Sequence, residues 1–176
     1  MNKWIIMVLT TLLLIGCSDA QGDGAEPQVE SKEEIKGATV GFSMTGGTIE
    51  EASGVPEDEK EKIVALFNEY IQASNDEDIE RYMATITENP KGFDYEEDRQ
   101  NTLAIFETYD VTRTADNITI VKYSEDEAQV YADVTVTTKE FATNNEFVSE
   151  GKQVTVLIKE DDQWGISSIH GMVENN

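Results

Sequence analysis

Between residues 128 and 137 the chain reads AQVYADVTVT, an alternation that leaves few folds open. Ala128, Val130, Ala132, Val134 and Val136 fall on one side of an extended strand, and Gln129, Tyr131, Asp133, Thr135 and Thr137 on the other. Such a strand has one face to bury. Upstream, ITIVKY reaches it through the polar stretch from Ser124 to Glu127; downstream, FVSEGKQVTVLIKE and WGISSIHGMV meet through Glu160 to Gln163. Connections this short make antiparallel hairpins, because a parallel crossover needs about a dozen residues or more. The second half of the chain therefore reads as a meander of about four long strands whose common face needs cover.

The cover comes from the residues before it. In EKEKIVALFNEYIQAS, Ile63, Leu66, Phe67, Tyr70 and Ile71 recur at helical spacing, with Lys60, Glu61, Asn68 and Glu69 opposite. In NDEDIERYMATITENP, Asn75 is expected to cap a second helix with Asp78 at its third position. Its stripe is Ile79, Tyr82, Met83 and Ile86, and Pro90 marks its end. A third helix opens at DYEEDRQNTLAIFETYD, where Asp94 and Glu97 have capping-box spacing and Leu103 and Phe106 share a face. Helices first and a meander after them is the α+β arrangement.

This order resembles the nuclear transport factor 2-like superfamily, with its SnoaL-like and cystatin-like members, over residues 56–173. The most specific parts are the first helix running into NDEDIERYMATI and the last hairpin, DDQWGISSIHG, with a tryptophan at its start. The resemblance implies helices packed on a curved antiparallel sheet to form a cone. Its interior holds a small hydrophobic ligand, an active site, or only packing side chains, and many members are dimers. A cystatin-like domain, with one helix against a similar sheet, is the near alternative. Neither stretch is a catalytic signature, so the fold leaves the function open.

The N-terminus reads differently. From Trp4 to Ile15 the chain is apolar over roughly twelve residues, too few for the roughly 17 to 25 of a membrane-crossing helix. Lys3 precedes the run and Gly16 closes it, the order of a secretory signal peptide. The segment Leu14-Ile15-Gly16-Cys17 resembles the lipobox of bacterial lipoproteins. That resemblance implies cleavage before Cys17, a diacylglycerol on its sulfur, and anchoring at the extracytoplasmic face of the bacterial cell membrane. Cys17 is the sole cysteine, so no intramolecular disulfide competes for it. The blander reading is an ordinary cleaved signal with an incidental cysteine. Two acyl chains suffice for stable anchoring where one does not. The expected organisation is a lipoprotein signal peptide over 1–16, an acidic tether with an accessory strand near Val40, Phe42 and Met44 over 17–55, and the folded domain over 56–176.

Charge narrows the partners. The 36 acidic and 13 basic residues give −23, and loss of Lys3 with the signal leaves 12 basic and −24. With no basic cluster to neutralise phosphates, nucleic-acid binding is set aside. Anionic headgroups repel such a surface, so the lipid would hold the body at the membrane against its own electrostatics. No cofactor is implied. The carboxylate-rich NDED and EDD lack the spacing and central glycine of a calcium loop and read as a helix cap and a hairpin turn, so no metal site is assigned. Phosphate loops, nucleophile elbows and Cys/His clusters are missing from the sequence.

Two functions fit. The first is a non-catalytic, membrane-anchored lipoprotein whose domain binds a partner or a small apolar ligand. Its support includes apolar residues on both faces of the last two strands: Val154, Val156 and Ile158 against Leu157, and Trp164 and Ile166 against Ile169. Those faces need cover from the accessory segment, a second copy, or an envelope protein partner. The second is an isomerase- or dehydratase-like enzyme using the cone interior, with a base opposite a hydroxyl donor. No catalytic residue is assigned. The pocket candidates are Tyr70 and Tyr82, on apolar stripes and otherwise plain core tyrosines, and His170, the only histidine. By parity with Trp164, Ile166 and Ser168, His170 is expected to point toward the interior or its mouth; the blander reading is a rim histidine. Asp133, opposite the Ala-Val row, is a poor base.

Overall fold

The structure, a computed structural model, describes residues 44–45 and 48–172. Cys17, the signal peptide and most of the expected tether lie outside the described residues. Among the described residues, no helix is long and apolar enough to cross a membrane.

Helix α1 runs Glu57–Asn75 behind Pro56, whose fixed φ suits a helix entry, and Glu57, Asp58 and Glu59 place carboxylates at its positive end. It buries Ile63, Phe67, Tyr70 and Ile71, the stripe expected from their spacing. Helix α2 spans only Ile79–Ala84. Its cap is the Asp78 side chain, which accepts from Arg81 N at 3.1 Å, while Asn75 is the last residue of α1 and does other work. α2 stops well short of Pro90, at Thr85, whose hydroxyl turns back to the Tyr82 carbonyl. Ile86 thus leaves the helix and bridges Ile166 as an extended residue. Helix α3, Tyr95–Thr108, is capped by Asp94 as its spacing predicts, with Glu97 N donating to Oδ1 at 2.9 Å.

α3 runs directly into β3, Tyr109–Tyr123, and the meander continues through β4, Glu127–Glu140, β5, Glu146–Glu160, and β6, Gln163–Met172. All neighbours are antiparallel, in the order β3-β4-β5-β6. The last hairpin turns on Asp161 and Asp162, both at positive φ, 49° and 65°. Two such residues match the right-handed twist of the flanking strands. A short separate pair, β1 at Met44–Thr45 and β2 at Thr48–Ile49, precedes α1. Beyond it Ala52 N donates to Ile120 O at 2.7 Å, and Ala52 and Val55 lie against the core.

Ala128, Val130, Ala132 and Val134 face the helices and share one core cluster with Ile63, Phe67, Tyr70, Tyr82, Met83, Ile120, Leu157 and Ile166. Gln129, Tyr131, Val154 and Val156 occupy the outer face and are also buried. The sheet departs from simple parity in β6. Val156 pairs with Ser168 but Leu157 pairs with Ile166, so Ser167 is an extra residue, a β-bulge. The bulge inverts the alternation. Trp164, Ile166 and Ile169 all pack against the helix-side core, correcting the expectation that Ile169 opposes the other two. Ser168 and His170 turn to the outer face.

Residues 85–92 run along the free edge of β6. Ile166 N donates to Thr85 O at 2.8 Å, Thr87 N to Ile166 O at 3.0 Å, and the amides of Lys91 and Gly92 both reach Ser167 O. A side chain at Gly92 would place its Cβ 2.5 Å from Ser168 Cβ, so the approach requires glycine. At the other edge Asn75 clamps β3: its Nδ2 donates to Arg113 O at 2.9 Å, and Arg113 N donates to its Oδ1 at 2.7 Å.

Candidate functional site

The interior carries a polar cluster inside apolar walls. Tyr70 comes from α1 and Tyr82 from α2, with ring centroids 5.6 Å apart; Phe67 stands 6.2 Å from Tyr70. The structure thus brings the two sequence-designated tyrosines together. Arg113 of β3 lies opposite Val136 on the helix-facing side and donates from Nη1 to the Tyr70 hydroxyl at 3.0 Å. Its backbone is the one held by Asn75. Asp98 projects from α3 one turn before Thr102, the only residue of α3 that is buried. From the sheet, Gln153 and Thr155 are buried on the same side, with Gln153 Nε2 donating to Thr155 Oγ1 at 2.8 Å.

Burial dominates the electrostatics. It pushes the phenols of Tyr70 and Tyr82 up, and it pushes the Asp98 carboxyl above its ordinary value, while Tyr82 and Arg113 beside Asp98 pull the other way. No ion pair joins Asp98 to Arg113 among the described residues. Asp98 Oδ2 and Arg113 Nε are both buried and have no hydrogen-bond partner. A donor and an acceptor therefore stand unpaired within one Coulombic neighbourhood, where buried polar atoms are nearly always satisfied.

Sequence reasoning did not single out Asp98 or Arg113. The available signals were phase relations. Asp98, Thr102 and Phe106 recur four apart along one helical face, and Arg113 alternates with Ala115, which packs on the core.

His170 does not join this cluster. It pairs with Val154 on the outer face, 3.0 Å from Ser168 Oγ by its Nε2, and partial burial lowers its pKa. The bulge at Ser167 is the reason, since parity counted from Trp164 is wrong by one residue beyond it. His170→Ala is expected to change stability by about 1 kcal/mol or less in urea titration, as for a half-exposed residue outside the core. Asp133 is also on the outer face, accepting from the Tyr131 hydroxyl at 2.6 Å and from Asn117 Nδ2 at 2.7 Å.

The stretch NDED is used locally. Asp78 caps α2, and Asp76 and Glu69 bind the Arg81 guanidinium. Among the described residues no group of three His, Cys, Asp or Glu side chains is placed to hold a metal ion. A buried acid, Glu59, ties the start of α1 to the last hairpin. It accepts from Trp164 Nε1 at 2.7 Å, Lys62 Nζ at 2.8 Å and Lys159 Nζ at 3.1 Å. Those donors, Lys62 foremost, hold its carboxyl down at about 2.

Residues 48–174 match the model of the family described as "Anti-sigma-I factor RsgI9, C-terminal domain". No curated protein matches the chain. Among solved structures, a nuclear transport factor 2-like superfamily protein from Salmonella enterica serovar Typhimurium aligns with TM-score 0.60 at 15% identity, covering 66% of this chain and 92% of that one. A ketosteroid isomerase-like protein from Erwinia carotovora atroseptica aligns with TM-score 0.54 at 23% identity, covering 65% and 95%. A protein with a cystatin-like fold from Nostoc punctiforme gives 0.53 at 21%, covering 69% and 96%. At such identities the likeness concerns the fold: helices followed by a curved four-stranded antiparallel sheet, the nuclear transport factor 2-like cone.

Proposed function

The chain belongs to the family of the anti-sigma-I factor RsgI9 C-terminal domain, and from that premise we propose that its folded domain is a regulatory binding module, not an enzyme. The observation that supports this most is the interior cluster, where an apolar cone encloses hydroxyls, a guanidinium and a carboxyl with one donor and one acceptor unpaired. Small-molecule sites have this composition: mostly apolar walls and a few convergent polar groups. The enzyme reading would have to use Asp98 as the base facing the tyrosines, since the one histidine of the chain is on the far side of the sheet. Native mass spectrometry of the full chain released in detergent is the test. A small molecule or a second copy that travels with the protein is the expected result; a bare monomer overturns the reading.

The same proposal places the domain outside the cell. Cys17 carries the lipid, the acidic stretch that follows is the tether, and the folded body stands off a headgroup layer that repels it. Cys17→Ser is expected to move the protein from the membrane fraction into the soluble one. Unchanged partitioning into detergent would remove the anchor from the account.

A further inference from the structure

We propose that the cluster beneath α3 receives the carboxylate of a small apolar acid, with Arg113 binding its oxygens and Asp98 sharing a proton with it. The inference rests on the binding-module reading and names the ligand class.

The donor set points to a carboxylate. A guanidinium presents its N–H groups as a rigid fork that matches two carboxylate oxygens. Here Tyr70 holds Nη1 at 3.0 Å and Asn75 holds the backbone on either side, so the fork is fixed with Nε still open. Arg113 repels a cation, which excludes amines. Asp98 faces Tyr82 from α2, Tyr70 from α1 and Arg113 from β3, and the residues from β5 on that side, Gln153 and Thr155, are uncharged. Its neighbour Arg99 is spent on Glu80 at 2.8 Å. A second carboxylate brought beside Asp98 meets like charge, so one proton is taken up and the pair forms an O–H···O⁻ bond.

The lining points to an apolar body. α3 buries no large side chain: Leu103 and Phe106 are half-buried and lie outside the main core cluster, and Ile105 is 39% exposed. Ala115, two residues from Arg113, and Val136, paired with it, are also only partly buried. A hydrocarbon body would find apolar contacts in side chains of this kind, whereas a polyol would leave most of its hydroxyls unpaired. The net charge of −23 opposes the approach of a free anion, and uptake as the neutral acid avoids that barrier.

The test is calorimetric titration of the full chain with 2-naphthylacetate and with 2-naphthylacetamide, from pH 5 to 8. The acid is expected to bind, and the amide to bind at least about tenfold more weakly, as loss of a charge-assisted hydrogen bond implies. Affinity for the acid should fall about tenfold per pH unit above the Asp98 pKa. Asp98→Asn, which always donates, should bind with no such slope, and Arg113→Gln should lose about 10- to 100-fold. If Arg113→Gln does not fold, Arg113→Lys serves, keeping the charge while removing the fork, with about tenfold weaker binding expected. An amide that binds as well as the acid, or a wild-type affinity flat with pH, overturns the carboxylate proposal and leaves the binding-module reading standing. Binding of neither probe also overturns it; the broader reading falls with it only if native mass spectrometry finds a bare monomer.

Discussion

Phe67→Ala is expected to destabilise the domain by about 3 to 5 kcal/mol, the range for removing a fully buried aromatic ring. Phe67 is 0% exposed on the inward stripe of α1, between the sheet and Tyr70. Among the described residues α1 is the one long helix that presses a continuous apolar stripe onto the sheet, since α2 is short and α3 buries only Thr102. A cavity at this position removes transfer energy and packing together. Urea unfolding of the variant measures the loss. Phe67→Leu, which keeps most of the volume, should cost about 1.5 kcal/mol or less. Equal losses for the two would show that the site cannot relax around any smaller side chain.

The second large effect is on the acid side. Glu59 has its carboxyl held at about 2 in the folded chain, against an ordinary 4.5, by Lys62, Trp164 and Lys159. A carboxyl depressed in the folded state contributes its full stabilisation above pH 4.5 and loses it as the pH falls from 4.5 toward 2. Wild-type melting temperature should therefore decline across that window. Glu59→Gln should lie several degrees lower at neutral pH, because an amide cannot accept from two ammonium groups and the indole as a carboxylate does. It should also be flatter between pH 4.5 and 2, and the two curves should converge in acid. Parallel curves would show that other carboxylates set the acid limb.

Both effects fall on residues of unequal legibility. Phe67 was readable because a stripe of large apolar residues at helical spacing has one stable use. The Ala-Val row of β4 was readable for the same reason at period two, and with the short polar turns it defined the sheet. Glu59 was not, because an acid in a first helical turn looks like a solvated partner of the dipole; its burial depends on Trp164 about a hundred residues away. The first nine residues of β3 were missed for lack of contrast. Thr112, Thr114 and Asp116 face solvent on an edge strand, and α3 enters β3 with no turn between them. His170 was misplaced by a bulge that period counting cannot register, since Ser167 and Ser168 are chemically the same on either side of it. Tyr70 and Tyr82 were found as aromatics on stripes. Their charged companions, Asp98 and Arg113, were hidden because polar residues on a helix or an edge strand are ordinarily assigned to water.

The clamp made by Asn75 bears on how copies of this chain can assemble. An outermost strand normally offers a row of free amide and carbonyl groups, and a neighbouring molecule extends the sheet by adding its own strand there. Asn75 occupies both backbone groups of Arg113 as a one-residue stand-in for that missing strand, and Ala52 takes the carbonyl of Ile120 further along. At the opposite border residues 85–92 fill the same role against β6. A continuous intermolecular ladder cannot form across either border without first displacing these contacts. A second copy that pairs at those positions therefore has to displace Asn75, Ala52 or residues 85–92 first, or use side-chain surfaces instead.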